Sequence, residues 1–195
     1  MKSAMALSAI LVVAAPVGWS APVTYTMNRD HTDLTFAIDH AGFSMKRGWF
    51  TDLNGTLKLD PDQLETAAVD ITVAASSIAT NHELRDRELR GKAFLDVERF
   101  PNLRFVSTKV TRTGPDALDV QGDLTLHGVS KPLLLHVKVN RLAISPFTKL
   151  PAAGFSAEGA LKRSDYGILT LIPLLGDEVK ISIEAEFSAA SAPPP

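Results

Sequence analysis

The segment from Asn81 to Glu88 contains the densest group of side chains able to move protons. Its members are Asn81, His82, Glu83, Arg85, Asp86, Arg87 and Glu88. A histidine beside carboxylates can serve as a general acid or base, so this segment is the strongest candidate for catalysis. The same residues also fit an ordinary solvated helix face with local ion pairs. We favour the solvated face; a third interpretation places Arg85 or Arg87 at the mouth of a cavity.

Other kinds of chemistry have little support in the residue pattern. The histidines are His31, His40, His82, His127 and His136. No two of them have the spacing that places metal ligands on one helix or strand face. There is no cysteine, which excludes disulfides and thiolate ligands. A serine-nucleophile elbow and a glycine-rich phosphate loop are also lacking. We therefore predict no catalytic residue, no metal site and no cofactor.

Alternation of apolar and polar residues dominates the rest of the chain. Val179, Ile181, Ile183, Ala185 and Phe187 interleave with polar residues. A period of two is typical of strands with one dry and one wet face. When most segments have this pattern, the dry faces must pack together, so an all-β barrel or sandwich is predicted. The net charge of −2, without long runs of either sign, argues against nucleic acid as a partner.

Ten segments are predicted as strands. They are 23–28, 32–40, 43–50, 53–59, 69–73, 103–111, 117–127, 133–142, 155–162 and 179–187. Turn residues at 113–116 predict a hairpin between two of them. Eight to ten strands is the range in which a barrel interior is either filled or holds one small ligand.

One segment interrupts the strands. Thr80 and Glu83 have the spacing of a capping box, and Gly91 is a natural helix stop. We therefore predict a short helix over residues 80–90, in a crossover that precedes Phe94.

The two chain ends are predicted to lie outside the fold. Residues 1–20 combine a basic start, an apolar stretch and small residues before Ala21, which is typical of a cleavable signal peptide. Export to the periplasm is the corresponding expectation. Residues 189–195 are small residues and prolines and are expected to be a disordered tail. The domain between them spans residues 21–188.

The apolar interior is the remaining candidate site. The predicted lining is Phe36, Ile38, Phe43, Trp49, Phe50, Leu57, Val69, Phe94, Phe105 and Phe155. Asn81, His82, Arg85 and Asp86 are predicted at the cavity mouth. Periodicity alone leaves two interpretations open, because small barrels can be solid. These side chains either fill the core or surround a cavity.

Five stretches resemble the YceI-like family of exported bacterial proteins. They are Asp33–Phe36 with Gly48–Phe50, Asn81–Asp86 with Phe94–Val97 and Phe100–Pro101, Gly122–Pro132, Arg163–Gly167, and Asp177–Ile181. The resemblance runs from Tyr25 to Phe187. It implies an extended antiparallel eight-stranded lipocalin-like barrel that holds a polyisoprenoid lipid or an isoprenoid quinone. This chain differs where the family often has a His-Leu-Lys-Ser-like run before paired phenylalanines, because it has Glu88–Gly91 and a single Phe94.

Three functions follow, in decreasing order of support. The first is a non-enzymatic carrier or sequestering protein for an isoprenoid lipid or quinone. The second is a stress-response interaction module with a filled core. The third is an enzyme that acts on a lipid-like substrate through His82 with Asp86 or Glu83. Transient membrane contact and a homodimer are compatible with the first.

Overall fold

The computed structural model describes residues 22–190. The strands are β1 (Val23–Met27), β2 (Asp33–His40), β3 (Ser44–Phe50), β4 (Leu53–Leu59), β5 (Ala68–Ala74), β6 (Ile78–Ala79), β7 (Asn102–Arg112), β8 (Ala117–Leu126), β9 (Val129–Ile144), β10 (Pro151–Lys162) and β11 (Leu175–Ala189). The α-helix α1 spans Glu83–Arg90. All ten predicted strands are present, and the two-residue β6 is an addition. Alternating apolar residues account for the ten, whereas β6 is too short to show a period.

The strands form an eight-stranded closed antiparallel barrel with a single helix. Hydrogen bonding follows the order β1-β4-β5-β7-β8-β9-β10-β11, and β11 pairs back with β1 to close the ring. β11 is long enough to pair along one edge with both β1 and β2. In the same way, β3 precedes β4 along the second crossing of the barrel. When β1 with β2, and β3 with β4, are each counted as one interrupted strand, the predicted eight-stranded barrel is confirmed.

The barrel has two unlike ends, which we name by their loops. The mouth end carries the β2–β3 turn, the β8–β9 turn, the β10–β11 loop and the crossover of residues 75–101 that contains α1. The distal end carries the β4–β5, β7–β8 and β9–β10 turns. At the distal end, Tyr25, Leu59 and Leu64 are almost completely buried. Side-chain packing therefore closes this end.

At the mouth end, the crossover completes the wall. β6 pairs with the end of β3 and is the last strand in the sheet order. From there the chain continues through α1 towards β7. The amide of Ala75 donates to the carbonyl of Pro101 at 2.8 Å, and the Arg90 guanidinium donates to the carbonyl of Ile78 at 2.8 Å. Leu89 and Leu95 of this segment face the interior.

The predicted start of the helix is wrong. His82, not Thr80, is the N-cap, and its Nδ1 accepts the Arg85 amide proton at 3.3 Å. Thr80 instead donates both its hydroxyl and its amide to the Asp86 carboxylate. A buried carboxylate holds these donors in place of a capping box. The helix ends before Gly91, as predicted.

The predicted chain ends fall mostly outside the described residues, which exclude 1–21 and 191–195. The signal peptide therefore stays a prediction. Ala189, which was assigned to the tail, is instead a buried residue of β11. Among residues 22–190, no helix has the length and apolar character required to cross a bilayer.

Candidate functional site: the barrel cavity

The dry faces of the strands surround a cavity of about 380 Å³. Alternate residues of β11 illustrate how the wall is built, since Val179, Ile181, Ile183 and Ala185 all line it. These residues are only half-buried although they point inward. The unfilled part of their surface faces the cavity rather than another side chain. The interior is therefore a hollow with an apolar wall.

Aromatic side chains shape the middle of this wall. The rings of Phe155 and Phe187 meet edge to face, with their centroids 6.2 Å apart. The Phe36 ring lies against the backbone of Gly48, where an added Cβ would be 2.4 Å from the Phe36 Cζ. Glycine at this position therefore allows the Phe36 ring to lie flat along β3. Phe50 approaches Phe36 from the neighbouring strand, at 5.9 Å between centroids.

The structure places eight of the ten predicted lining residues on the cavity wall. They are Phe36, Ile38, Phe50, Leu57, Val69, Phe94, Phe105 and Phe155. That any of them contacts a ligand remains a prediction.

The placement of Phe43 and Trp49 on the lining is wrong. Phe43 follows the left-handed Ala41 and Gly42, so it lies in the β2–β3 turn, where it is 90% exposed. Trp49 lies between Gly48 and Phe50, which face inward, and alternation turns its side chain outward, 42% exposed.

Sequence reasoning missed much of the lining from β8 to β11. Leu124, Leu133, Ala157 and Ile181 are examples. The signal was present, because the period of two on these strands marks one face of each. The prediction was weighted towards aromatic residues, whereas most of this wall is aliphatic.

The four residues predicted at the mouth do not act together. Only Arg85 borders the cavity; its Nε and Nη2 donate to the Thr80 hydroxyl and carbonyl at 2.7 and 2.8 Å. Asn81 and His82 are exposed and lie off the cavity wall. Asp86 is buried against Thr80 and has a structural role. The grouping of these four as a cavity mouth is thus wrong for all but Arg85.

Further basic side chains border the cavity, among them His40 and Lys46, with Arg47 and Arg163 at the same end. His40 ends β2, and Lys46 lies opposite Ile38 on β3, on the inward face of the hairpin. Both side chains are exposed. With Arg85, they place nitrogen hydrogen-bonding groups on the border of a cavity whose wall is otherwise mainly apolar.

A buried arginine fixes the β10–β11 loop at the mouth end. Arg163 is 5% exposed, and its guanidinium donates to four backbone carbonyls: those of Gly176 at 2.8 Å, Ile168 at 3.1 Å, Thr170 at 2.8 Å and Leu175 at 3.0 Å. Burial lowers the pKa of this guanidinium, which nonetheless stays charged because an arginine begins far above neutral pH. Nothing in the residue pattern around Arg163 indicates this role.

The same loop is tied to its neighbours by a carboxylate. Asp177 accepts the Ser164 hydroxyl at 2.7 Å and the Ser164 amide at 2.9 Å. These two hydrogen bonds are the main cause of a lowered pKa for the Asp177 carboxyl, with a smaller contribution from the Arg163 charge. The β10–β11 loop is therefore held by polar contacts at both of its ends.

Within the described residues, the side chains considered for catalysis do not come together in one site. Glu83 forms an exposed ion pair with Arg87 at 3.3 Å, while His82 caps the helix. His136 contacts Asp119 on the barrel surface, with both side chains off the cavity wall. Within residues 22–190, no three metal-ligating side chains come together in a site.

A closed antiparallel barrel around an apolar cavity defines a lipocalin-like protein. Residues 25–187 match the model of the YceI-like domain, and the chain belongs to this family. It is 38% identical over 156 residues to the protein YceI of Salmonella arizonae, covering 80% of this chain and 81% of that one.

Two solved structures share the fold at low sequence identity. The BcnA protein of Burkholderia cenocepacia matches with a TM-score of 0.75 and 19% identity, over 82% of this chain and 98% of that one. A polyisoprenoid binding domain from Saccharophagus degradans, implicated in plant cell wall breakdown, matches with a TM-score of 0.65 and 16% identity, over 86% of this chain and 99% of that one. At these identities the likeness shows the fold.

Proposed function

We propose that this protein carries or sequesters a long-chain isoprenoid lipid, or an isoprenoid quinone, in the periplasm. The observation that carries the proposal is the apolar cavity of about 380 Å³ at the centre of the barrel. Small-molecule sites in proteins usually measure about 300–1,000 Å³ and are lined mainly by apolar side chains. The cavity therefore fits a ligand whose recognition depends on hydrocarbon burial.

The energetics favour a long and flexible hydrocarbon. Each buried CH₂ group contributes about 0.8 kcal/mol, so several isoprene units can offset the cost of association with few polar contacts. The polar end of the lipid would then lie at the mouth, near His40, Lys46 and Arg85, which border the cavity there. This orientation leaves no unpaired polar group of the ligand inside the apolar interior.

The apolar interior also favours a binding protein over the alternatives. A filled-core module requires a solid barrel, and the cavity contradicts that premise. An enzyme acting through His82 requires that side chain near the substrate, whereas His82 caps α1 and is exposed off the cavity wall. The polyisoprenoid-binding description of the Saccharophagus relative agrees with the first hypothesis.

The periplasmic location is supported by the signal-peptide pattern of residues 1–20. A lipid that dissolves only in membranes needs a protected apolar site to cross an aqueous compartment. Export and an apolar cavity are thus both consistent with a lipid carrier in the periplasm.

Filling the cavity tests this proposal. Ala185 lies on the cavity wall opposite Phe155 of β10, so Ala185→Phe should occupy the space meant for the ligand. Purified protein would be extracted with organic solvent and its lipid measured by mass spectrometry. We expect wild type to carry an isoprenoid lipid and Ala185→Phe to retain at least ~10-fold less, given the loss of several buried CH₂ groups.

Ser182→Phe is the matched control, because Ser182 is exposed on the outer face of the same strand. It should retain lipid like wild type. A wild-type protein without lipid after purification, and without saturable binding of a polyprenol, would contradict the proposal. If Ala185→Phe and Ser182→Phe retained equal amounts of lipid, the cavity would not be the lipid-binding site.

A further inference from the structure

Large apolar side chains are exposed in a cluster at the mouth end. They are Phe43 in the β2–β3 turn and Leu169, Leu171 and Leu174 in the β10–β11 loop, between 55% and 90% exposed. We call these four side chains the apolar tip. Scattered exposed apolar residues are ordinary on protein surfaces, but a contiguous group marks an interaction site.

The two segments that carry the apolar tip form one surface. The amide of Ala41, in the β2–β3 turn, donates to the carbonyl of Leu174 at 2.8 Å. His40 and Leu175 are cross-strand partners immediately beside it. The Arg163 guanidinium and the Asp177 carboxylate hold the loop against the barrel. The leucines are therefore presented by a fixed loop.

The residue composition of this surface indicates which kind of partner it binds. Residues 167–176, Gly-Ile-Leu-Thr-Leu-Ile-Pro-Leu-Leu-Gly, contain no charged side chain. Lys46 and Arg47 lie beside the β2–β3 turn, and neither forms an ion pair with another described residue. Apolar side chains flanked by unpaired cations are the features by which peripheral proteins bind an anionic bilayer. It is the combination of exposed apolar side chains with neighbouring cations that favours a bilayer over a protein partner.

We propose that the apolar tip inserts into the surface of an anionic lipid bilayer and places the cavity mouth against it. The inference rests on the proposed function, since a carrier of membrane lipid must load and unload at a membrane. Lys46 and Arg47, on either face of β3, lie at the level of the anionic head groups, while the apolar tip enters the apolar layer beneath them. The lipid then passes between bilayer and cavity without crossing bulk water.

The distal end supplies a matched control for the test. Phe147 and Ile144, in and beside the β9–β10 turn, are 92% and 51% exposed, whereas Phe43 and Leu171 are 90% and 55% exposed. The double variants Phe43→Ser/Leu171→Ser and Ile144→Ser/Phe147→Ser therefore remove similar exposed apolar surface from opposite ends. Circular dichroism and thermal unfolding would establish that both are folded.

The measurement is co-flotation with vesicles of phosphatidylethanolamine and phosphatidylglycerol. We expect the mouth-end double variant to bind ~10-fold or more weakly, because two apolar side chains no longer enter the bilayer. The distal-end variant should bind like wild type. Lys46→Gln/Arg47→Gln should weaken binding to these vesicles but leave binding to pure phosphatidylcholine unchanged.

A second readout separates this inference from the proposed function. Loading of a radiolabelled polyprenol from detergent micelles requires the cavity but no bilayer, so the mouth-end variant should load normally. Wild type that loads the polyprenol yet does not float with vesicles would overturn the docking inference alone. Equal loss of vesicle binding in both double variants would also overturn it. So would a wild-type dimer that the mouth-end variant abolishes in the absence of any vesicle binding.

Discussion

The two ends of this barrel are held in place by different interactions. At the distal end, Tyr25, Leu59 and Leu64 are at most 5% exposed, and apolar packing closes the interior. At the mouth end, the β10–β11 loop is held by the Arg163 guanidinium and the Asp177 carboxylate, while its leucines remain exposed. A polar anchor, together with the buried Tyr166 and Ile168, thus fixes the loop and leaves its leucines exposed.

Because of this difference, leucines at the distal end serve stability, whereas exposed leucines at the mouth end can serve function. Leucines that pack inward stabilise the fold but cannot contact anything else. Leucines on a loop anchored through its backbone stay available to a partner. We therefore expect changes at the distal leucines to act through packing, and changes at Arg163 and Asp177 to act through hydrogen bonds and charge.

Removing the arginine should have the largest effect on stability. Arg163→Met leaves four carbonyls of the β10–β11 loop and the start of β11 without their donor. Each buried unsatisfied group costs about 1–3 kcal/mol. Since water can reach some of them, we expect a loss of about 4 kcal/mol in the free energy of unfolding, measured by urea denaturation. Lys162→Met, an exposed neighbour, should change it by less than about 0.5 kcal/mol. Similar stabilities for the two variants would show that Arg163 does not hold the mouth end.

Truncating the distal packing should have the next largest effect. Leu64 is 5% exposed, lies at that end and belongs to the hydrophobic core. Leu64→Ala should cost about 3 kcal/mol, as buried leucine truncations do. Leu171→Ala at the mouth end should cost less than about 0.5 kcal/mol, because its side chain is exposed. Equal stabilities for the two alanine variants would contradict the contrast between a packed distal leucine and an exposed mouth-end leucine.

The smallest effect is expected at the Asp177 carboxylate, and it should depend on pH. Hydrogen bonds from Ser164 lower the Asp177 pKa below its ordinary value of 3.8. Stability from a lowered pKa is present above the unfolded value and is lost as pH falls through the folded one. Ser164→Ala should therefore destabilise the protein by about 1 kcal/mol at pH 7. The difference from wild type should shrink as pH falls below the ordinary aspartate pKa of 3.8 and Asp177 becomes protonated in both proteins. A difference that is constant with pH would indicate that Ser164 acts through packing.

The strands could be predicted from the sequence because alternation reports directly which face of each is dry. The same signal gives no strand order, so the pairing of β11 with both β1 and β2 could not be foreseen. Helix α1 was predicted from its charged residues and Gly91, but its first residue was misplaced. Thr80 is bound by Asp86, six residues away, and a capping pattern cannot reveal such a contact.

The cavity wall was predictable in part and the mouth hardly at all. Alternation correctly placed Phe36, Ile38 and Phe50 on the wall. A shift of one residue reverses the face of a side chain, which explains the error at Trp49. The role of Arg163 depends on backbone carbonyls up to thirteen positions away, and no residue pattern encodes carbonyl directions.

The position of β6 at the end of the sheet order has a consequence for where the barrel wall opens. Between β6 and β7 the wall is joined by the crossover, through contacts such as Ala75 with Pro101 and Arg90 with Ile78. Parting the wall along this seam requires breaking isolated hydrogen bonds, whereas parting it anywhere around the eight-stranded ring requires breaking a ladder. The barrel wall is therefore mechanically weakest along this one side, and local opening of the fold should begin there.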